Sequence, residues 1–230
     1  MRLISSIRKL GYRQKIILYN LGIAQDNLKL LEENSCHLEI RNFNFSNFPP
    51  SMTQLKSYRW KSIVIAQVLR DYGSLWYLDS SVIFEKSNVS HVYDLVNCYG
   101  KVRKRYKVYK YFPTNPGELK KEKAKMYDAG FVFAVNTRQT MMNIVKWYFL
   151  CALEEDCMAP KSAVLGCQFV DDDRFRTYAG CHRYDQSIIN LVLANQFWYD
   201  RRYYVSQIVD FFHIDRAGTS GNFQDHMKCI

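Results

Sequence analysis

Leu75-Trp76-Tyr77-Leu78-Asp79-Ser80-Ser81-Val82-Ile83-Phe84 decides how the rest of the chain is read. An apolar run ends on one carboxylate, two small hydroxyl residues follow, and a second apolar run begins. The first run lacks helical periodicity and is rich in aromatic residues, which marks a buried strand. A charge at that point is costly to bury unless a cation or hydrogen-bond donors meet it. Asp79 therefore has two readings. At the carboxyl end of a core strand in an α/β sheet it stands where ligands dock. Beside Ser80 it equally suits the turn leaving the strand, because both residue types are favoured there.

On the N-terminal side, Lys15 to Tyr19 reads as a strand, Asn27 to Glu33 as a helix, and His37 to Phe45 as an alternating strand stopped by Pro49-Pro50. Ser51 offers an N-cap for a long helix through Arg70, with Leu55, Ile63, Ala66 and Leu69 on its inner face. On the C-terminal side, Val89 to Cys98 reads as a short helix and Pro113 to Gly117 as a turn. Gly130 to Val135 returns to the sheet, and Thr137 caps a helix to about Glu155. A polar loop at Asp171 to Arg174, a helix from Tyr184 to Trp198 and a late strand from Tyr204 to Phe212 complete the chain. The β-α-β-α-β order predicts an α/β fold with a mostly parallel central sheet. No repeat or linker divides residues 1–230, so one domain is expected.

With 230 residues the chain can bury a substantial core. No run approaches the ~18 apolar residues of a membrane span. The first ten residues lack the apolar core of a signal peptide and read as a short amphipathic helix. Asn44-Phe45-Ser46 and Asn88-Val89-Ser90 are nonetheless acceptor patterns for N-glycosylation, which belongs to a secretory compartment. Seven cysteines show no paired spacing of a zinc site. The net charge of +10 is concentrated, since Lys101 to Lys125 holds ten Lys or Arg against Glu118 and Glu122. That window suits a solvated basic edge, a nucleic-acid surface, or a loop closing over an anionic diphosphate. The near balance elsewhere argues against nucleic acid as a partner. Walker, dinucleotide-binding, G-x-S-x-G and H-E-x-x-H patterns do not occur.

Three segments carry a resemblance. Tyr127-Asp128-Ala129-Gly130-Phe131-Val132-Phe133-Ala134-Val135-Asn136 resembles the N-A-G-V strand of family 8-like glycosyltransferases with the GT-A fold. Asp185-Gln186-Ser187-Ile188-Ile189-Asn190 resembles the D-Q motif that follows it there, and Leu78-Asp79-Ser80-Ser81 stands where those enzymes carry L-D-x-D. Tyr58-Arg59-Trp60-Lys61 and Cys181-His182-Arg183-Tyr184-Asp185-Gln186-Ser187 are similar to family 8-like proteins of nematodes and other invertebrates. The resemblance runs from about Lys15 to about His213.

It implies a GT-A-like nucleotide-diphospho-sugar transferase domain that moves a hexose, with a UDP-sugar as the expected donor. The acceptor would be a glycan, glycoprotein or glycolipid, and the setting the Golgi or another secretory lumen. It makes Gln186 a residue near the anomeric carbon and Asp185 a hydroxyl binder. Asp79, Ser81, Asp128, Gly130, Arg59, Lys61 and His182 become donor-binding candidates. A divalent cation, Mn²⁺ or Mg²⁺, would be held by Asp79 and a distal His213. Each residue also has a plainer role: a helix start for Asp185, a helix surface for Arg59 and Lys61, a strand end for His213. Ser81 replaces the second Asp of D-x-D, and a neutral hydroxyl is the weaker cation ligand. The family's first strand has no counterpart here, so missing N-terminal sequence is expected. Both departures suit an alternative, an inactive relative that binds glycans or partners.

Overall fold

The computed structural model describes residues 2–34, 37–90, 111–112, 114–172, 180–206, 208 and 210–216. All but the first two residues of the helix expected at Val89 to Cys98, most of the basic window, and Asp173-Arg174 of the polar loop lie outside the described residues. The chain forms two compact units. One comprises Met1–Asn44, Leu78–Cys98 and Gln207–Ile230, and the other Phe45–Tyr77 and Tyr99–Ser206.

In the first unit, β1 (Ile16–Asn20) and β2 (Leu38–Asn42) pair in parallel, with Ile16 opposite Leu38 and Asn20 opposite Asn42. Parallel neighbours need a crossover, and α2 (Gln25–Asn34) supplies it. Leu31 of this helix and Ile4 of α1 (Arg2–Lys9) are buried against Ile16, Leu18, Ile23, Leu38 and Ile40. The amphipathic N-terminal helix thus has an apolar face with somewhere to go. Asn20 closes β1: its Oδ1 accepts from the N–H groups of Gly22 and Ile23 at 2.9 and 2.7 Å. Gly22 makes this turn at φ 123°, which a side chain would strain.

A second sheet in this unit pairs β4 (Val82–Phe84) antiparallel with β6 (Phe212–Ile214). Helix α1 is tied to it by the Phe84 N–H donating to Ser6 Oγ at 3.1 Å and by an Arg2–Asp215 ion pair. The late strand is therefore much shorter than Tyr204 to Phe212. Arg201–Tyr203 form a 3-10 turn, and the N–H groups of Tyr204 and Val205 both go to Arg201 O at 3.0 and 2.9 Å. Donors spent inside a turn are lost to a sheet ladder.

The second unit corrects the helix expected from Ser51. Two 3-10 turns, Pro50–Thr53 and Leu55–Ser57, precede α3, which spans only Trp60–Tyr72. Hydroxyls of Thr53 and Ser57 bond back to the carbonyls of Pro50 and Gln54, both at 2.7 Å. Such local bonds compete with helix propagation. Tyr58 then turns the chain in a left-handed conformation at φ 55°. Ile63 and Leu69 face the core as expected, but Leu55 is 40% exposed. Gly73 ends the helix at φ 78°, its N–H donating to Leu69 O at 3.0 Å.

Next, β3 (Ser74–Leu78) lies beside β5 (Phe131–Val135). The Asn136 N–H donates to Gly73 O at 2.7 Å, which sets the end of β5 at the start of β3. The strands therefore run in opposite directions, with Trp76 against Phe131 and Phe133 at 5.2 and 5.0 Å between ring centres. The described residues thus form a mixed α/β structure with three two-stranded sheets, one of them parallel, in place of the expected mostly parallel central sheet. Between β3 and β5 lies α4 (Pro116–Leu119), capped by Asn115. Thr137 Oγ accepts from the Thr140 N–H at 3.0 Å and opens a helical segment. Its first turns, Thr140–Val145, are π-helical before α5 (Lys146–Leu153). A short α6 (Glu155–Met158) follows, tied to α5 by the Cys151–Cys157 disulfide. The last helix of the unit is α7 (Asp185–Gln196).

Asp200 anchors the turn that replaced the late strand. Its carboxylate accepts from the Arg202 backbone N–H at 3.1 Å and from Arg202 Nη2 at 2.6 Å. These bonds hold its pKa below the ordinary 3.8, against the opposing push of burial. A depressed carboxylate pKa contributes stability above the unfolded value and loses it as pH falls through the folded one. Urea unfolding should accordingly show stability declining below about pH 4, with part of the decline absent in Asp200→Asn. The contribution should be about 1 kcal/mol, since Arg202 is exposed and screened.

Candidate functional site

Asp185 is the first residue of α7, and the residue before it is strained. Tyr184 has φ 44° and ψ −115°, a region that side chains other than glycine's rarely enter. Such strain costs of order 1–3 kcal/mol and persists only where the surroundings impose it. The N-cap is Tyr184, which makes no side-chain cap bond, and Ser187 Oγ accepts from the Arg183 N–H at 2.8 Å just outside the helix. The Asp185 carboxylate reaches Lys61, with Nζ 2.8 Å from Oδ2 and both side chains 6% exposed. The contact is an ion pair rather than an aligned hydrogen bond.

Lys61 comes from the first turn of α3, so two helix starts supply the pair. Its ammonium also lies 4.9 Å from the centre of the Tyr58 ring and 5.5 Å from that of Tyr77. Aromatic faces stabilise a cation that has left water. Tyr77 is buried within β3, whereas Tyr58 is exposed, so the aromatic wall of the pair has one wet side.

Gln186 follows, partly buried, and its side chain has no hydrogen-bond partner among the described residues. One turn later the buried Asn190 bonds to Gln186 O at 2.8 Å. It also accepts from the Tyr127 N–H at 3.0 Å and donates to the Tyr127 carbonyl at 2.7 Å. This two-way clamp joins α7 to the chain entering β5, and so physically links the two segments that carry the strongest resemblance. Asp128, next to the clamp, is exposed, and its Oδ1 accepts from the buried Gly130's N–H at 3.2 Å. Asn190 was not among the residues singled out from sequence. The available signal was an amide within the apolar run Ile188-Ile189-Asn190-Leu191-Val192, where a polar group must find a dedicated partner.

His182 braces the segment before the strained Tyr184. Its Nε2 carries the proton and donates to Met158 O at 2.8 Å, because a carbonyl only accepts. Its backbone N–H bonds to Val164 O at 2.7 Å, and the neighbouring Cys181 is joined to Cys167. The Tyr184 ring packs edge-on against it at 6.0 Å.

Arg59 has a different role from diphosphate contact. Its guanidinium, almost wholly buried, donates to the carbonyls of Ala152 and Glu154 at 3.2 and 2.9 Å and of Glu155 at 2.6 Å. These carbonyls close α5 and open α6, and a helix C-terminus has carbonyls without partners. Burial lowers the Arg59 pKa, while Glu155, Glu154 and Asp156 push it back up.

The remaining candidates lie in the first unit. Asp79 follows β3 directly, is half-buried, and its carbonyl accepts from the Val82 N–H at 3.0 Å. Ser81 gives its carbonyl to the Asp215 N–H at 2.8 Å. His213 stands opposite Ile83, and its Nδ1 lies 2.9 Å from Glu85 Oε1. The His213 contact found is to Glu85, just past the end of β4 away from Asp79. Among the described residues no three His, Cys, Asp or Glu side chains gather as cation ligands.

Residues 1–66 match a family described as a protein of unknown function (DUF1647). No curated protein and no solved structure matches the chain.

The buried pair makes a quantitative prediction. Losing either partner leaves an uncompensated buried charge, so Lys61→Met or Asp185→Leu alone should destabilise by about 3–5 kcal/mol. The double variant should cost less than either single change. Additive losses in denaturant titrations would show that the two charges do not support one another.

Proposed function

We propose that the chain is a nucleotide-sugar-dependent hexosyltransferase of the GT-A-like class, with the Lys61–Asp185–Gln186 group as the sugar end of its donor site. The observation that carries the reading is the buried Lys61–Asp185 pair, set beside a strained Tyr184 in the segment that resembles the D-Q motif. Structural need alone gives no reason to bury a charge pair at that point, since an apolar pair is commonly as stable. Lys61, 2.8 Å away, orients Asp185, so that the carboxylate can accept sugar hydroxyls. Gln186 stands beside the anomeric carbon, and Asp128 is a further hydroxyl acceptor next to Gly130. In the reaction, the bond from that carbon to the diphosphate breaks and the acceptor hydroxyl oxygen takes its place, losing a proton.

The expected donor is a UDP-sugar and the acceptor a glycan, glycoprotein or glycolipid. Asp79 remains a donor-binding candidate by its position in the resemblance alone. When bound, a divalent cation would supply Lewis-acid stabilisation of the leaving diphosphate. Passage through the Golgi or another secretory lumen is supported by the Cys151–Cys157 and Cys167–Cys181 disulfides, because disulfides persist in oxidising compartments. Among the described residues no helix is long and apolar enough to cross a membrane.

A second reading, a glycan-binding relative without catalysis, is favoured by Ser81 in the D-x-D position and by the His213–Glu85 contact. Calorimetric titration with UDP-hexoses, with and without Mn²⁺, separates the two when combined with an assay of donor hydrolysis. The transferase should bind donor, hydrolyse it slowly without acceptor, and lose at least about tenfold in affinity in Asp185→Asn, whose bulk is unchanged. Glycan binding by a folded protein that ignores every UDP-hexose would replace the enzyme reading with the second one.

A further inference from the structure

We propose that Asn88 is an N-glycosylated residue, modified by an oligosaccharide donor as the chain passes through a glycosylating lumen. Asn88-Val89-Ser90 has the acceptor pattern, and the structure adds what the pattern lacks. After β4 the chain is pinned to its unit. The Glu85 N–H bonds to Phe211 O at 2.8 Å, the Tyr12 hydroxyl to Lys86 O at 3.2 Å, and Lys86 Nζ to Asp210 at 2.7 Å. Two residues farther on, Asn88 and Ser90 are both exposed. Asn88 Oδ1 accepts from the Ser90 N–H at 3.0 Å. Fixing the oxygen inward leaves the amide Nδ2 open. Neither that nitrogen nor the Ser90 hydroxyl has a hydrogen-bond partner among the described residues. A glycan there displaces no hydrogen bond of the Asn88 amide nitrogen among the described residues, as a bulky surface modification requires.

Asn44 differs. Its acceptor pattern runs straight into the 3-10 turn Phe45–Asn47, and Asn44 and Ser46 both have interactions of their own. The two disulfides supply an independent argument for the compartment, since the same lumen that oxidises thiols carries the glycosylating machinery. In the transfer, Asn88 Nδ2 forms a bond to the anomeric carbon of a lipid-linked oligosaccharide. The bond from that carbon to its diphosphate breaks, with the electron pair leaving on the diphosphate, and one amide proton passes to a base of the transferring enzyme. The inference needs only lumenal passage and is independent of any catalysis by this chain.

The test is to express the full chain in animal cells and treat it with peptide N-glycosidase in heavy-oxygen water, which turns a glycosylated asparagine into labelled aspartate. Peptide mass spectrometry should find the label at residue 88, and Asn88→Gln should lose one glycosidase-sensitive step in gel mobility. Ser90→Ala should lose the same step with the asparagine still present, and Ser90→Thr should keep it. This series remains readable if the Gln variant folds poorly. Recovery of unlabelled Asn88 would overturn the inference, as would cysteines that alkylate fully without a reductant.

Discussion

Taking an ammonium out of water constrains everything placed around it. Lys61 meets that constraint with one carboxylate and two aromatic faces, drawn from the starts of two helices, a strand and a left-handed turn. Each of those elements is shaped accordingly. Tyr58 turns the chain just before Trp60–Tyr72 begins, and the strained Tyr184 stands immediately before Asp185. A buried pair of this kind contributes little net stability once desolvation is counted, but losing half of it is severe. It therefore acts as a constraint on which arrangement forms more than as a source of stability.

A second cation fixes the neighbouring corner in another way. Arg59 makes no ion pair among the bonds it donates; it collects three carbonyls at the junction of Lys146–Leu153 and Glu155–Met158. The Cys151–Cys157 bridge encloses those same carbonyls. A planar guanidinium can serve several acceptors at once, which a lysine at this place could not do equally. Two residues apart in one motif, Arg59 and Lys61 thus do opposite work: one satisfies backbone, the other satisfies a side chain.

Much of the element order was legible because it rests on local pattern. The apolar runs at Ile16, Trp76 and Phe131 became strands, and Thr137 starts a helix as its hydroxyl allows. The errors arose where local bonds defeated a plausible pattern. Thr53 and Ser57 turned their hydroxyls on the backbone and broke the helix expected from Ser51, and Arg201 O gathered donors that a longer late strand needed. At the candidate site, residue type pointed to Asp185 and Lys61 but not to their pairing, which joins residues remote in sequence. Arg59 and Lys61 had equal standing in the sequence, since nothing local distinguishes a cation bound for carbonyls from one bound for a carboxylate. Asn190 was visible only as an amide out of place.

The first unit is assembled from the two ends of the chain and a piece of its middle. Glu85 and His213 are 128 positions apart, and Arg2 finds Asp215 213 positions away. On a ribosome, Val82–Phe84 therefore emerges long before the strand that pairs with it. Until Phe212–Ile214 is made, its hydrogen-bonding edge and the apolar side chains beside it stay open. Contacts of such separation form slowly, and an unpaired edge invites wrong pairing while it waits. The order of synthesis leaves this small sheet as a late seam of the fold, open to mispairing until Phe212–Ile214 has been made.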